Sequence, residues 1–209
     1  MKSPNHFSDE ELVKYSELML AYEIEMLHWT ASVLHGYHFA HLADLLPSET
    51  IENKIVQATH HAYFDAFAMY SRNLIDFLYL KGHYEKDHSD DVVVEDYIDT
   101  ATLNSHMLKI KKGDLLDRTK KMIDKRVAHL TSVRLTYDIW DYTGIFRNIF
   151  LVFNSIASYF PAAKCSEHFR AIIAQPPPLL FDVKWDTLPT KSQNPFSVCI
   201  AIASTELMG

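Results

Sequence analysis

A run of about thirty residues, 50–80, contains neither glycine nor proline. Lys81 and Gly82 follow it, and helices commonly end at a basic residue and a glycine. An element this long and this apolar must be covered by other elements, so the sequence predicts the central helix of a bundle. Its apolar residues recur at helical spacing, and they include Ile55, Phe64, Phe67, Leu74, Phe77 and Leu78.

Other segments carry the same kind of signal. Ser8 and Glu11 form a capping-box pattern, which predicts a helix that starts there and continues to about Leu34. Further helices are predicted within 95–107, from Asp114 to between Thr131 and Arg134, over 137–159, and over 165–174. With only five glycines in 209 residues, a turn-rich β protein is disfavoured. The predicted fold is an all-α helical bundle of four to five long helices.

The chain changes character near residue 175. Gln175 precedes three consecutive prolines, which favour an extended spacer. The later run 197–202 is apolar and β-prone. We therefore predict a helical bundle domain over 1–174, and a proline-rich spacer with a short irregular or β-prone C-terminal tail over 175–209. This tail either packs on the bundle or pairs with another chain.

The net charge, the cysteine count and the lengths of the apolar runs restrict the classes of function. The net charge is -7, so the field of the whole molecule does not attract nucleic acid, and any such surface must be local. Cys165 and Cys199 are too far apart for a zinc knuckle and too few for a disulfide framework. The chain shows neither a signal-peptide pattern nor the roughly 18–20 apolar residues of a membrane span. We expect a soluble, cytoplasmic protein that has no membrane contact.

A concentrated basic patch lies around the predicted helix that starts at Asp114. One face of this helix is apolar, through Leu116, Ile123, Val127 and Leu130, and the other is basic. The patch is either a solvated or ion-paired helix face, or a phosphate-binding surface. The candidate nucleic-acid-binding residues are Arg118, Lys121, Lys125, Arg126 and Arg134. His129 and Lys125 are the catalytic candidates, because an imidazole titrates near neutral pH and can act as a general acid or base.

A polar line runs along the long apolar helix. His61, Asp65, Arg72 and Asp76 are four, seven and four residues apart, so they share one face. One interpretation is a salt-bridge network, since Arg72 and Asp76 are at ion-pairing spacing. The other is a polar groove, because charges on an apolar helix are costly unless they are paired or hydrated.

Metal-ligand patterns are incomplete. Glu25-x-x-His28 is half of the motif of a di-iron bundle, and no second copy lies on a predicted long helix. His60, His61 and Asp65 form a second possible group. We predict no metal and no cofactor, and a metal-dependent bundle enzyme is kept as a third hypothesis.

Two segments resemble those of a known family. Asp124-Lys125-Arg126-Val127-Ala128-His129-Leu130-Thr131 is similar to the polar-residue-plus-histidine motif of HEPN domains, and to the variants reading N-K-x-x-A-H. Ser71-Arg72-Asn73-Leu74-Ile75-Asp76-Phe77-Leu78 is similar to a segment of bacterial HEPN-like proteins. The resemblance covers roughly residues 10–160.

The resemblance implies a helical bundle, usually dimeric, that either cleaves RNA as a toxin or defence protein or only binds RNA or nucleotides. Active members require an arginine that is separated from the histidine by four to six intervening residues. The corresponding positions here are Met122, Ile123 and Asp124, so the fold carries over better than the activity. The leading hypothesis is an HEPN-like RNA- or nucleotide-binding homodimer, a ribonuclease if it is an enzyme at all. The alternative is a non-catalytic assembly or interaction protein.

Overall fold

The computed structural model describes residues 7–36, 47–79, 91–107, 114–126 and 141–175. Every regular element in these ranges is helical, and about five substantial helices pack together, which confirms the all-α prediction. The predicted tail from Pro176 onward lies outside the described residues, as do His129 and Arg134. The proposed domain boundary at residue 175 therefore stays a prediction.

The first rod of the bundle has three parts. Helix α1 is Asp9–Tyr15, a π-helical turn is Ser16–Leu20, and α2 is Ala21–Gly36. The capping box at its start is confirmed: Glu11 N donates to Ser8 Oγ at 3.2 Å, and Ser8 N donates to Glu11 Oε2 at 2.7 Å. Two of the unpaired amide groups at the helix start are satisfied in this way.

The π turn is fixed by a distant part of the chain. Ser16 is fully buried, and its Oγ donates to Val13 O at 2.7 Å. The same oxygen accepts a 2.8 Å hydrogen bond from Ser166 N, 150 residues further on. The backbone N–H of Ala21 donates to Ser16 O, which is the five-residue step of a π-helix.

The remaining helices close the bundle around the long one. Helix α3 is Ile51–Tyr79, and the short helices α4 and α5 are Val94–Tyr97 and Thr100–Met107. Helix α6 is Asp114–Arg126, α7 is Tyr142–Ile156 followed by a 3₁₀ turn Ala157–Tyr159, and α8 is Glu167–Ala174. Helix α3 packs against α2, α6 and α7, as expected for a central helix.

The core is rich in aromatic rings that interlock between helices. Phe77 of α3 stacks on Phe153 of α7, with ring centroids 5.9 Å apart and planes 10° apart. Phe169 of α8 meets Phe153 edge to face at 6.3 Å, and both of these rings are fully buried. Ile55 is a correction to the sequence pattern: although it occupies an apolar position of α3, it is 47% exposed.

A tight cap starts α7. Asp141 Oδ1 accepts a 2.7 Å hydrogen bond from Gly144 N. A Cβ at position 144 would lie 2.0 Å from Asp141 Oδ2, so the capping carboxylate requires glycine or must move away. Thr143 Oγ1 lies 3.1 Å from His35 Nδ1 and joins this start of α7 to the end of α2. The predicted helix begins at residue 137, but the described part of the chain resumes only at residue 141.

Candidate functional site

The basic helix α6 lies on the long helix α3 through both apolar and charged contacts. Leu116 and Ile123 are buried, which confirms the apolar face that the spacing predicts. Thr119 between them is also buried, and its Oγ1 donates to Leu115 O at 2.7 Å, so its hydroxyl is satisfied within the helix. The remaining apolar positions of the pattern, Val127 and Leu130, lie outside the described residues.

Four side chains form an alternating chain of charges along this contact. Lys120 of α6 bonds to Asp76 Oδ1 of α3, and Arg72 Nε lies 3.7 Å from Asp76 Oδ2. The same Arg72 Nε lies 3.1 Å from Asp124 Oδ1 of α6. That oxygen is sealed from solvent and accepts no hydrogen bond among the described residues, so the attraction is that of an ion pair. We call these four residues the α3–α6 charge chain.

The charge chain divides the predicted polar stripe into two parts. Arg72 and Asp76 pair with each other and with α6, as the salt-bridge interpretation expects. His61 and Asp65 lie on an exposed stretch of α3, and the His61 ring faces His60 at 6.0 Å. Burial, and then the neighbouring His61, lower the pKa of His60. The structure thus brings together the carboxyl-terminal half of the stripe and leaves the other half apart from it.

The charged side chains of α6 meet either α3 or solvent. Asp124 turns toward α3 onto Arg72, and Asp117 lies near Tyr79 of α3. Burial, and then the Asp117 carboxylate, raise the pKa of Tyr79 to about 12. Arg118 and Lys121 are exposed. The described acids of α6 are therefore turned toward the bundle, and two of its cations are turned toward solvent.

The other candidate residues lie at the end of α6 or after it. Lys125 and Arg126 belong to the last turn of α6, and their side chains lie outside the described part of the molecule. His129 and Arg134 follow this helix. The catalytic role of His129 and Lys125 therefore stays a prediction.

The two parts of the half di-iron motif point to different partners. Glu25 Oε1 is 3.2 Å from His168 Nε2 of α8, and both side chains are about half exposed. His28 is buried, with its ring 5.3 Å from that of Phe146. Among the described residues no group of three or more histidine, cysteine, aspartate or glutamate side chains could hold a metal ion.

A second polar group lies where α1, α2 and α3 meet, and the sequence patterns did not reveal it. Asn73 Nδ2 of α3 donates to Glu23 Oε1 of α2 at 3.1 Å. The hydroxyls of Tyr22 and Tyr70 lie 3.2 Å apart, and their rings meet edge to face at 6.0 Å. The paired residues are about 50 positions apart in the chain, so no local spacing connects them.

The chain was compared with protein-family models, curated proteins and solved structures, and none of them matches it. No helix in the described ranges is long and apolar enough to cross a membrane.

Proposed function

We propose that this chain is an HEPN-like helical protein that binds the phosphates of RNA or of a nucleotide through the outer face of α6. The observation that supports this most directly is the exposure of two basic residues on that helix. Arg118 and Lys121 are exposed, and Asp124 is paired with Arg72 of α3. On an acidic protein, a surface that binds a polyanion must be a local cluster of cations such as this one.

The charge chain supports this proposal in a second way. Lys120 is held by Asp76, so it does not add to the outer face. The contact of Lys120 with Asp76 fixes the rotation of α6 about its own axis on α3, and this rotation determines which cations of α6 reach solvent. A rigid helix that presents cations at fixed spacing orders fewer side chains on binding than a loop does. His129, three residues beyond Arg126, is the proposed acid or base if the bound RNA is also cleaved.

The proposal predicts a salt-dependent affinity for single-stranded RNA. The double change Arg118→Ala with Lys121→Ala should weaken binding and lower the slope of log affinity against log salt by about two, one for each phosphate that is no longer neutralised. Fluorescence anisotropy of a labelled oligoribonucleotide over a salt series measures both quantities. Circular dichroism should show unchanged helix content, because both side chains are exposed.

The matched control is Lys54→Ala with Arg147→Ala, which removes the same charge from exposed positions of α3 and α7. This control variant should lower the affinity for RNA slightly, because the net charge becomes more negative. It should leave most of the slope of log affinity against log salt unchanged. Equal losses of affinity in the two double variants would show that binding is not located on α6. If the wild-type protein does not bind RNA at low salt, the proposal of RNA binding is refuted.

One observation favours a second candidate, a non-catalytic interaction protein. Leu18, Tyr22 and Trp29 are 58%, 47% and 41% exposed, and they follow one another by four and seven residues along the π turn and α2. Large apolar side chains aligned on a surface are typical of a contact face. The same RNA titration separates the two candidates, since an interaction face of this kind predicts no salt-dependent RNA binding. Homodimerisation through α6 stays part of the first proposal.

A further inference from the structure

A carboxylate at the junction of α1, α2 and α3 is held without a full set of partners. Glu23 Oε1 accepts the 3.1 Å hydrogen bond from Asn73. Its Oε2 is sealed from solvent and has no hydrogen-bond partner in the described part of the chain. A buried oxygen without a donor is costly, and the cost is greatest when the group is charged.

Among the described residues, the groups around Glu23 offer it no positive charge. The pKa of Tyr15 in α1 is raised by burial first, and then by Glu23 and Asp91. From α3, Tyr70 is bonded to Tyr22, and this bond together with burial raises the pKa of Tyr70 to about 12. These phenols therefore stay protonated at neutral pH.

Burial raises the pKa of Glu23 above its ordinary value of 4.5, and only the hydrogen bond from Asn73 opposes this. The protonated form leaves no buried charge, whereas the ionised form needs water or a donor at Oε2. The packed junction therefore favours the protonated form. Its advantage is complete at low pH and is lost as the pH rises from about 4.5 through the raised pKa.

Glu23 also lies next to the element of the first rod that departs from regular α-helix. The π turn Ser16–Leu20 ends three residues before it, and Tyr15 lies immediately before the turn. π turns are less stable than regular helix and are frequent at functional sites. A charge that needs water at this point can obtain it if α2 and α3 separate locally where Glu23 meets Asn73.

We propose that Glu23 is the proton sensor of a local conformational switch, in which its ionisation loosens the contact of α2 with α3 at Glu23 and Asn73. The protonated carboxyl holds the junction closed. The ionised carboxyl lets water reach Oε2, and the first rod opens locally while the aromatic core beneath α7 stays packed. The inference concerns α1–α3 and does not depend on RNA binding by α6.

Amide hydrogen exchange on the full-length protein tests the switch. After correction for the intrinsic pH dependence of exchange, the opening constant of residues 16–23 should rise with pH between about 4.5 and the raised pKa, by at most about tenfold per pH unit, and it should level off at higher pH. In Glu23→Gln the same amides should show an opening constant that no longer depends on pH. Glu25→Gln, two residues away at an exposed position, should keep the dependence of the wild type.

A wild-type pH dependence that persists in Glu23→Gln would overturn the proposal. So would a carboxyl titration of Glu23 in the wild type, followed by carbon NMR, with its midpoint at or below about 4.5. This second measurement needs no variant, so the proposal can be refuted even if Glu23→Gln does not fold.

Discussion

The contact of Arg72 with Asp124 gives a quantitative test of how α6 is held on α3. Their Nε and Oδ1 atoms are 3.1 Å apart, and the two side chains are 35% and 34% exposed. Coulomb attraction at this distance is about 5 kcal/mol at an effective dielectric constant of ~20, and about 1 kcal/mol in bulk water. Because a third of each side chain meets water and both must be ordered, we expect a net coupling of about 1 kcal/mol.

A double-mutant cycle with Arg72→Gln and Asp124→Asn isolates this coupling. Asp76 keeps Lys120 when Arg72 is replaced, and Arg72 keeps Asp76 when Asp124 is neutralised. Asp124 loses its paired cation in Arg72→Gln, and the coupling energy of the cycle includes the cost of that loss. Urea denaturation of the four proteins gives the free energies of unfolding, and the coupling should shrink at 1 M salt because screening weakens exposed charges.

The control cycle uses Glu25 and His168, which lie 3.2 Å apart at 54% and 48% exposure. At nearly the same distance this pair should couple less, since more water reaches it and His168 carries a charge only when it is protonated. A coupling below about 0.3 kcal/mol for Arg72 and Asp124 would be within the usual error of additivity, and the charge chain would then not hold α6.

Two further predictions concern the core. Phe153→Ala should lower the free energy of unfolding by about 3–5 kcal/mol, because it removes a fully buried ring that stacks on Phe77. The control Leu151→Ala, at a 64% exposed position of the same helix, should change the free energy of unfolding by less than about 1 kcal/mol. Similar decreases in the two variants would refute this packing. In a Cys199→Ser protein, the thiol of Cys165 should react with a disulfide reagent only as fast as the protein unfolds, since burial raises the pKa of Cys165 to about 12; a rate independent of denaturant would contradict this.

The helices were predictable because their signals are local. The capping box at Ser8 needs only residues three apart, and the buried positions Leu116 and Ile123 follow from spacing along one helix. Exposure of Ile55 could not be read in this way, because burial depends on which other elements cover a position, and the spacing along α3 does not show that.

The site was predictable only in part, for the same reason. Arg72 and Asp76 are four residues apart, and this spacing predicted their ion pair. The sequence also indicated that α6 is basic. It did not show that Lys120 reaches Asp76 across 44 residues, or that Asp124 turns inward onto Arg72. Such pairings depend on the rotation of one helix on another, which the packing of both apolar faces determines. The partners of Glu23 were hidden by the same long separation.

The π turn also limits how this chain can be aligned with regular helices. A π-helical turn holds about one residue more than an α-helical turn. The residues after Ser16–Leu20 are therefore displaced by about one position from the α-helical pattern of the residues before it. At 3.6 residues per turn, this shifts the faces of α1 and α2 relative to each other by about 100°. An alignment that assumes one continuous α-helical spacing of apolar residues from Asp9 to Gly36 would match the buried positions of α1 or of α2, but not of both. The helix pattern of each half should therefore be compared separately, with Ser16 as the boundary.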